Sequence, residues 1–116
     1  MIAVIFELYP RTEQTESYFD IAAELKPHLQ QIEGFISVER FESVIHKGKF
    51  LSLSFWRDEE AVKQWRNLML HREAQQTGRQ RVFTDYRLRV AQVIRDYGME
   101  EREQAPADSN KSNRSR

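Results

Sequence analysis

LSLSFWRDEEAVKQWRNLMLHREAQQTGR, residues 51–79, decides the fold. It opens as an apolar strand that runs through Phe55-Trp56 and turns at once into Asp58-Glu59-Glu60. An aspartate there caps a helix by accepting a backbone N–H, and the two glutamates suit its positive first turn. At about 100° per residue, Ala61, Val62, Trp65, Leu68, Met69 and Arg72 share one arc, the core face. His71 falls roughly 60° outside that arc and Gln75 about 20° outside it. Gly78 is the expected stop. So much aromatic surface beside His71, Arg72 and Arg79 suits a flat ligand. The plain alternative is that Trp56 and Trp65 are simply core.

Working outward, Phe35 to Val44 alternates, His46-Lys47-Gly48-Lys49 is a turn, and Phe50 to Trp56 is the return strand, so the pair reads as a hairpin. Upstream, from Glu13 to Ile32, Tyr18, Ile21, Ala22, Leu25, Leu29 and Ile32 recur at helical spacing. Thr12 or Thr15 caps that helix, Pro27 should kink or restart it, and Glu33-Gly34 closes it. Residues 2–9 form a first strand stopped by Pro10, with Ile2, Val4, Phe6 and Leu8 on one side and Ala3, Ile5, Glu7 and Tyr9 on the other. Phe83 to Tyr97 alternates again as a last strand. Residues 98–116 (GMEEREQAPADSNKSNRSR) hold no large apolar residue beyond Met99, and such a segment is expected to be a disordered tail.

The 116 residues suffice for one domain, here 1–97. Eighteen basic and eighteen acidic residues leave no excess charge for phosphates, so nucleic acid is not an expected partner. With no cysteine there is no disulfide framework, thiolate nucleophile or Cys-type metal site. The start, MIAVIFELYP, lacks the basic segment and cleavage site of a signal peptide, and no apolar run reaches the roughly 20 residues of a membrane span. The cytoplasm is the expected location.

The order β-α-β-β-α-β predicts an α+β, ferredoxin-like fold, with both helices on one face of an antiparallel sheet. The opposite face still carries apolar side chains, Ile2, Val4 and Phe6 or their alternates. A bare apolar sheet face is an association surface, so a homodimer, sheet against sheet, is expected.

Gly34-Phe35, Phe55-Trp56, Asp58-Glu59-Glu60 and Trp65 together resemble the antibiotic biosynthesis monooxygenase (ABM) domain family, the dimeric α/β-barrel proteins, over roughly residues 1–97. That family includes cofactor-free oxygenases of aromatic compounds, haem-degrading enzymes, quinol-handling proteins and members of no known activity. The haem-degrading branch resembles itself in an Asn on the first strand, a Trp in the second helix and an iron-ligating His beyond it. These align here with Glu7, Trp65 and Gln75, so only the Trp is kept. The cofactor-free branch places Trp, Asn, Tyr and Arg around a phenolic substrate. Trp65 matches its Trp, His71 falls at the Tyr, Ala61 at the Asn, and Arg87 near the Arg.

The resemblance and the residues together imply an oxidation of a small aromatic, phenolic or quinol molecule in a helix–sheet pocket, without cofactor. Trp65, Trp56, Phe6 and Gln75 would line it, His71 or Glu7 would take the proton, and Arg72 would stabilise the resulting anion. An imidazole is suited to that proton transfer, though a surface histidine at a helix C-terminus is the plain reading. Glu7, placed on the helix side, is either a base or the partner of Arg72 or Arg87. A haem-binding enzyme, with His71 displaced into the ligand role, and a non-catalytic small-molecule-binding or scaffold module are the alternatives.

Overall fold

The computed structural model describes residues 1–10, 15–75 and 83–109, with side chains undescribed at 15–18, 70–75 and 83–84. Strand β1 (Ile2–Pro10) leads to helix α1 (Thr15–Gln30), the hairpin β2 (Phe35–Glu42) and β3 (Phe50–Trp56), helix α2 (Glu59–Gln75) and strand β4 (Phe83–Gln92). The sheet is antiparallel in the order β2-β3-β1-β4, the ferredoxin-like arrangement. Among the described residues no helix is long and apolar enough to cross a membrane.

Each join has a local cause. Asp58 Oδ1 accepts the Ala61 N–H at 2.9 Å and so starts α2. Gly34 has φ +92°, and a Cβ built there would lie 2.9 Å from the Ala61 Cβ. Only glycine lets the start of β2 lie against the first turn of α2, where the Gly34 carbonyl accepts the Arg57 N–H at 2.7 Å. Pro27 stays inside α1 rather than restarting it. It lies on the exposed side, as does Ala23, so water can reach the carbonyl that the proline leaves unpaired. Strand β4 ends at Gln92, short of the expected Tyr97, because its partner β1 ends there too; the last bridge is Val93 N–H to the Met1 carbonyl. The β1–β4 register shifts between Tyr9 and Pro10, where the ladder loses a donor. Beyond Gly98 the segment makes short-range contacts through Arg102, which stacks on Tyr97 and bonds the Gly98 carbonyl and Ser109.

The pairing register fixes which side chains share a face, since directly opposed residues point the same way. Ile2, Val4, Leu29, Trp56, Ala61 and Val62 form the main core, with Leu8 and Phe50 a second cluster. The even-numbered residues of β1 therefore face the helices. Glu7, expected there, lies on the other side with Ile5, Leu51, Leu53 and Phe55. The misplacement has a plain cause: β1 is apolar on both faces, so its period separates two sides without saying which is which.

Candidate functional site

Beneath the helices the sheet presents rows that can be read straight from the register. One row is Phe35, Trp56, Ile2 and Gln92; the next is Val38, Ser54, Val4 and Val90. Then come Arg40, Ser52, Phe6 and Leu88, and after them Glu42, Phe50, Leu8 and Tyr86. In the first two rows the β1 and β3 members, Ile2, Val4, Ser54 and Trp56, are buried, while Val90 at the β4 end is 49% exposed. Trp56 is wholly buried, its ring meets Phe35 edge-on at 5.2 Å, and its indole N–H donates to Ser54 Oγ at 2.9 Å. Burying an indole removes roughly 200 Å² from water, worth about 5 kcal/mol. Trp56 was expected to wall a substrate, yet it offers a ligand no surface.

Trp65 is different. It is half-buried, with its ring tilted against Trp56 at a centroid distance of 6.3 Å, so it rests on the core and keeps an open flank. Phe6, two rows along, is also half-buried and meets Tyr86 edge-on at 5.6 Å. Leu88 is 41% and Tyr86 62% exposed, although both lie on the side of the sheet that the helices cover. The helix layer thus leaves part of its own side of the sheet, toward β4, unfilled by the described residues. The sequence reading missed Tyr86 and Ser52, which become visible only through their register with Leu8 and Phe6. The side chains of His71, Arg72 and Gln75 lie outside the described residues.

Glu7 has left this side altogether. Arg89 Nη1 donates to its Oε2 at 3.0 Å and Lys49 Nζ stands 3.7 Å from its Oε1. The expected partners were Arg72 or Arg87. Arg87 is opposite Glu7 in the ladder, but the longer diagonal to Arg89 is the one that closes. The hydrogen bond from Arg89, aided by Lys49, outweighs partial desolvation and holds the Glu7 carboxyl below the usual carboxylate range. A carboxylate so held is a weak base, and it is on the wrong face to serve the helix–sheet side.

Between α1 and α2 runs an outward groove of about 620 Å³, floored by Ile32, Ala61 and Leu68 and rimmed by Gln31, Gln64 and Asn67. It contains none of the aromatics. At its end Arg57 joins Glu33 and Asp58, and the Ala61 N–H, followed by Arg57, lowers the Asp58 pKa. That is a helix cap with its counter-ion, which accounts for the charge there.

The fold and this half-filled face define a class of protein. The chain belongs to the antibiotic biosynthesis monooxygenase family, whose model matches residues 1–77. Among its relatives, the jasmonate monooxygenase ABM of Pyricularia oryzae is 48% identical over 93 residues, 80% of this chain and 43% of that protein. The chain therefore spans less than half the length of that relative. The haem-degrader MhuD of Mycobacterium tuberculosis, solved with two haems in its active site, superposes with a TM-score of 0.64 at 18% identity, over 84% of this chain and 100% of that one. SnoaB, a cofactor-independent oxygenase from Streptomyces nogalater, was solved as a mutant and gives 0.64 at 10% identity, over 82% and 94%. At those identities the likeness is one of fold.

The residues do not fit the haem arrangement that the family resemblance suggested. Glu7 points away from the helices, and an amide such as Gln75 is not among the side chains that ordinarily hold haem iron.

Proposed function

We propose that this chain is a cofactor-independent monooxygenase for a small aromatic, phenolic or quinol molecule held on the helix side of the sheet. The observation that carries this reading is the partly open aromatic surface of Phe6, Tyr86 and Trp65 on the face that the helices cover. The relative named as a jasmonate monooxygenase, at 48% identity, supports an oxygenated ring substrate. For a phenol the balance closes without outside reductant: phenol plus dioxygen gives quinone plus water, the ring supplying the electrons. Loss of a proton raises the ring's electron density, and oxygen then attacks carbon. Of the two bases first considered, His71 on α2 is the one this reading keeps, with Arg72 to balance the developing charge.

The side of the sheet facing away from the helices supports a homodimer. Ile5, Leu51, Leu53 and Phe55 form an apolar surface there, with Phe41 exposed beside them. A second copy laid sheet against sheet would cover it.

The test is oxygen uptake by haem-free, chelator-treated protein with phenols, hydroquinones and jasmonate. Substrate-dependent uptake that falls at least tenfold in Trp65→Phe and in His71→Ala is the expected result. Saturable binding without uptake would replace the enzyme by a non-catalytic binding module.

A further inference from the structure

Arg40 on β2 has a setting that its neighbours do not account for. A bulge at Ile36 puts Phe35, Val38 and Arg40 on one side, so Arg40 stands on the helix side, opposite Ser52. It is half-buried, and its guanidinium Nε is shut off from solvent with no hydrogen-bond partner. Among the described residues no hydrogen bond or ion pair reaches this side chain. The next carboxylate on the same side, Glu42, is turned into the hairpin, where its Oε2 accepts the Gly48 N–H at 3.2 Å. Glu39 is on the opposite face. Buried N–H donors are nearly always paired, because an orphan forfeits its hydration without return.

The row that contains Arg40 continues through Ser52 to Phe6 and Leu88. It runs from a cation, through a hydroxyl, to an aromatic ring and an aliphatic side chain. Arg40 and Phe6 are two strand spacings apart, about 10 Å, the length of a small ring compound with a short acidic arm. From this row we infer that Arg40, with Ser52, anchors the carboxylate of an amphipathic substrate whose ring lies on Phe6 and Leu88. This rests on the helix-side site proposed above and narrows its ligand to organic acids. Arginine suits the role because its fork meets both carboxylate oxygens in one plane, which lysine cannot do.

The experiment is equilibrium binding, by calorimetry and tryptophan fluorescence, without oxygen so that turnover plays no part. The probes are 4-hydroxyphenylacetate and 3-phenylpropanoate, each against its own neutral amide. Wild-type protein should prefer each acid to its amide by about tenfold or more, the effect of a charge-assisted hydrogen bond. Arg40→Gln should abolish that preference, with amide binding unchanged, and Arg40→Lys should restore only part of it. Without ligand, Arg40→Gln should melt no lower than wild type, since it removes an unpaired donor; a lower melting temperature with acid preference intact would make Arg40 structural. Equal binding of acid and amide by wild type, or no binding of either acid, overturns the assignment. Turnover of neutral phenols without acid preference would keep the oxygenase and discard the anchor; acid preference without turnover would do the reverse.

Discussion

Glu7 and Arg89 are joined at 3.0 Å across β1 and β4, on the side of the sheet turned away from both helices. That bond holds Glu7 on the face away from the helices, in an ion pair shared with Lys49. The Arg89 hydrogen bond holds the Glu7 carboxyl below the ordinary carboxylate range in the folded chain, as the Ala61 N–H and then Arg57 hold that of Asp58. Stability from a lowered carboxylate is fully present above its unfolded pKa and is lost as pH falls through the folded one. Glu7→Gln should therefore flatten the acid limb of the melting curve below about pH 4.5 and change neutral stability little. Turnover should survive; an inactive but stable Glu7→Gln would return Glu7 to the site.

Trp56 and Trp65 should separate stability from activity. Trp56→Phe shrinks a fully buried ring and removes the donor to Ser54, at a cost of about 2–3 kcal/mol. Trp65→Phe, at a half-buried position, should cost about 1 kcal/mol or less but lower turnover at least tenfold. Paired thermal melts and oxygen-uptake rates check this. Proportional losses in both variants would make Trp65 another core residue.

Gly34→Ala tests the close approach of β2 and α2. The new Cβ would sit 2.9 Å from Ala61 and 3.3 Å from the Arg57 Cβ, on a backbone at φ +92° that alanine resists. A loss of about 2–3 kcal/mol is expected, roughly 10 °C in melting temperature. A melting point within a degree or two of wild type would show that the turn relaxes freely.

Leu53→Glu addresses the bare sheet face. Leu53 pairs with Ile5 at the middle of the apolar surface, where a charge would oppose a second copy. Light scattering should find wild-type dimers and Leu53→Glu monomers at micromolar concentration. Wild-type monomers at that concentration would leave the face without its expected partner.

Much of this was legible in the sequence because it depends on neighbours along the chain. The alternation of Phe50 to Trp56 marks β3 with its observed ends, Asp58 and its glutamates mark the start of α2, and Gly34 marks the turn before β2. Element order followed, and with it the ferredoxin-like fold, while the family showed in the resemblance carried by Gly34-Phe35, Phe55-Trp56, Asp58-Glu59-Glu60 and Trp65. Trp65 on the sheet-facing arc was legible for the same reason: helical periodicity is local. Facing was not. In β1 both sides are apolar, and only the pairing of Ile2 with Trp56 and of Val4 with Ser54 sets Glu7 outside and Phe6 within. Arg40 was hidden by a one-residue bulge that changes what its alternation means. A strand's period sorts its side chains into two sets, whereas the inner set is chosen by the layer that packs on it, and that choice belongs to the tertiary structure.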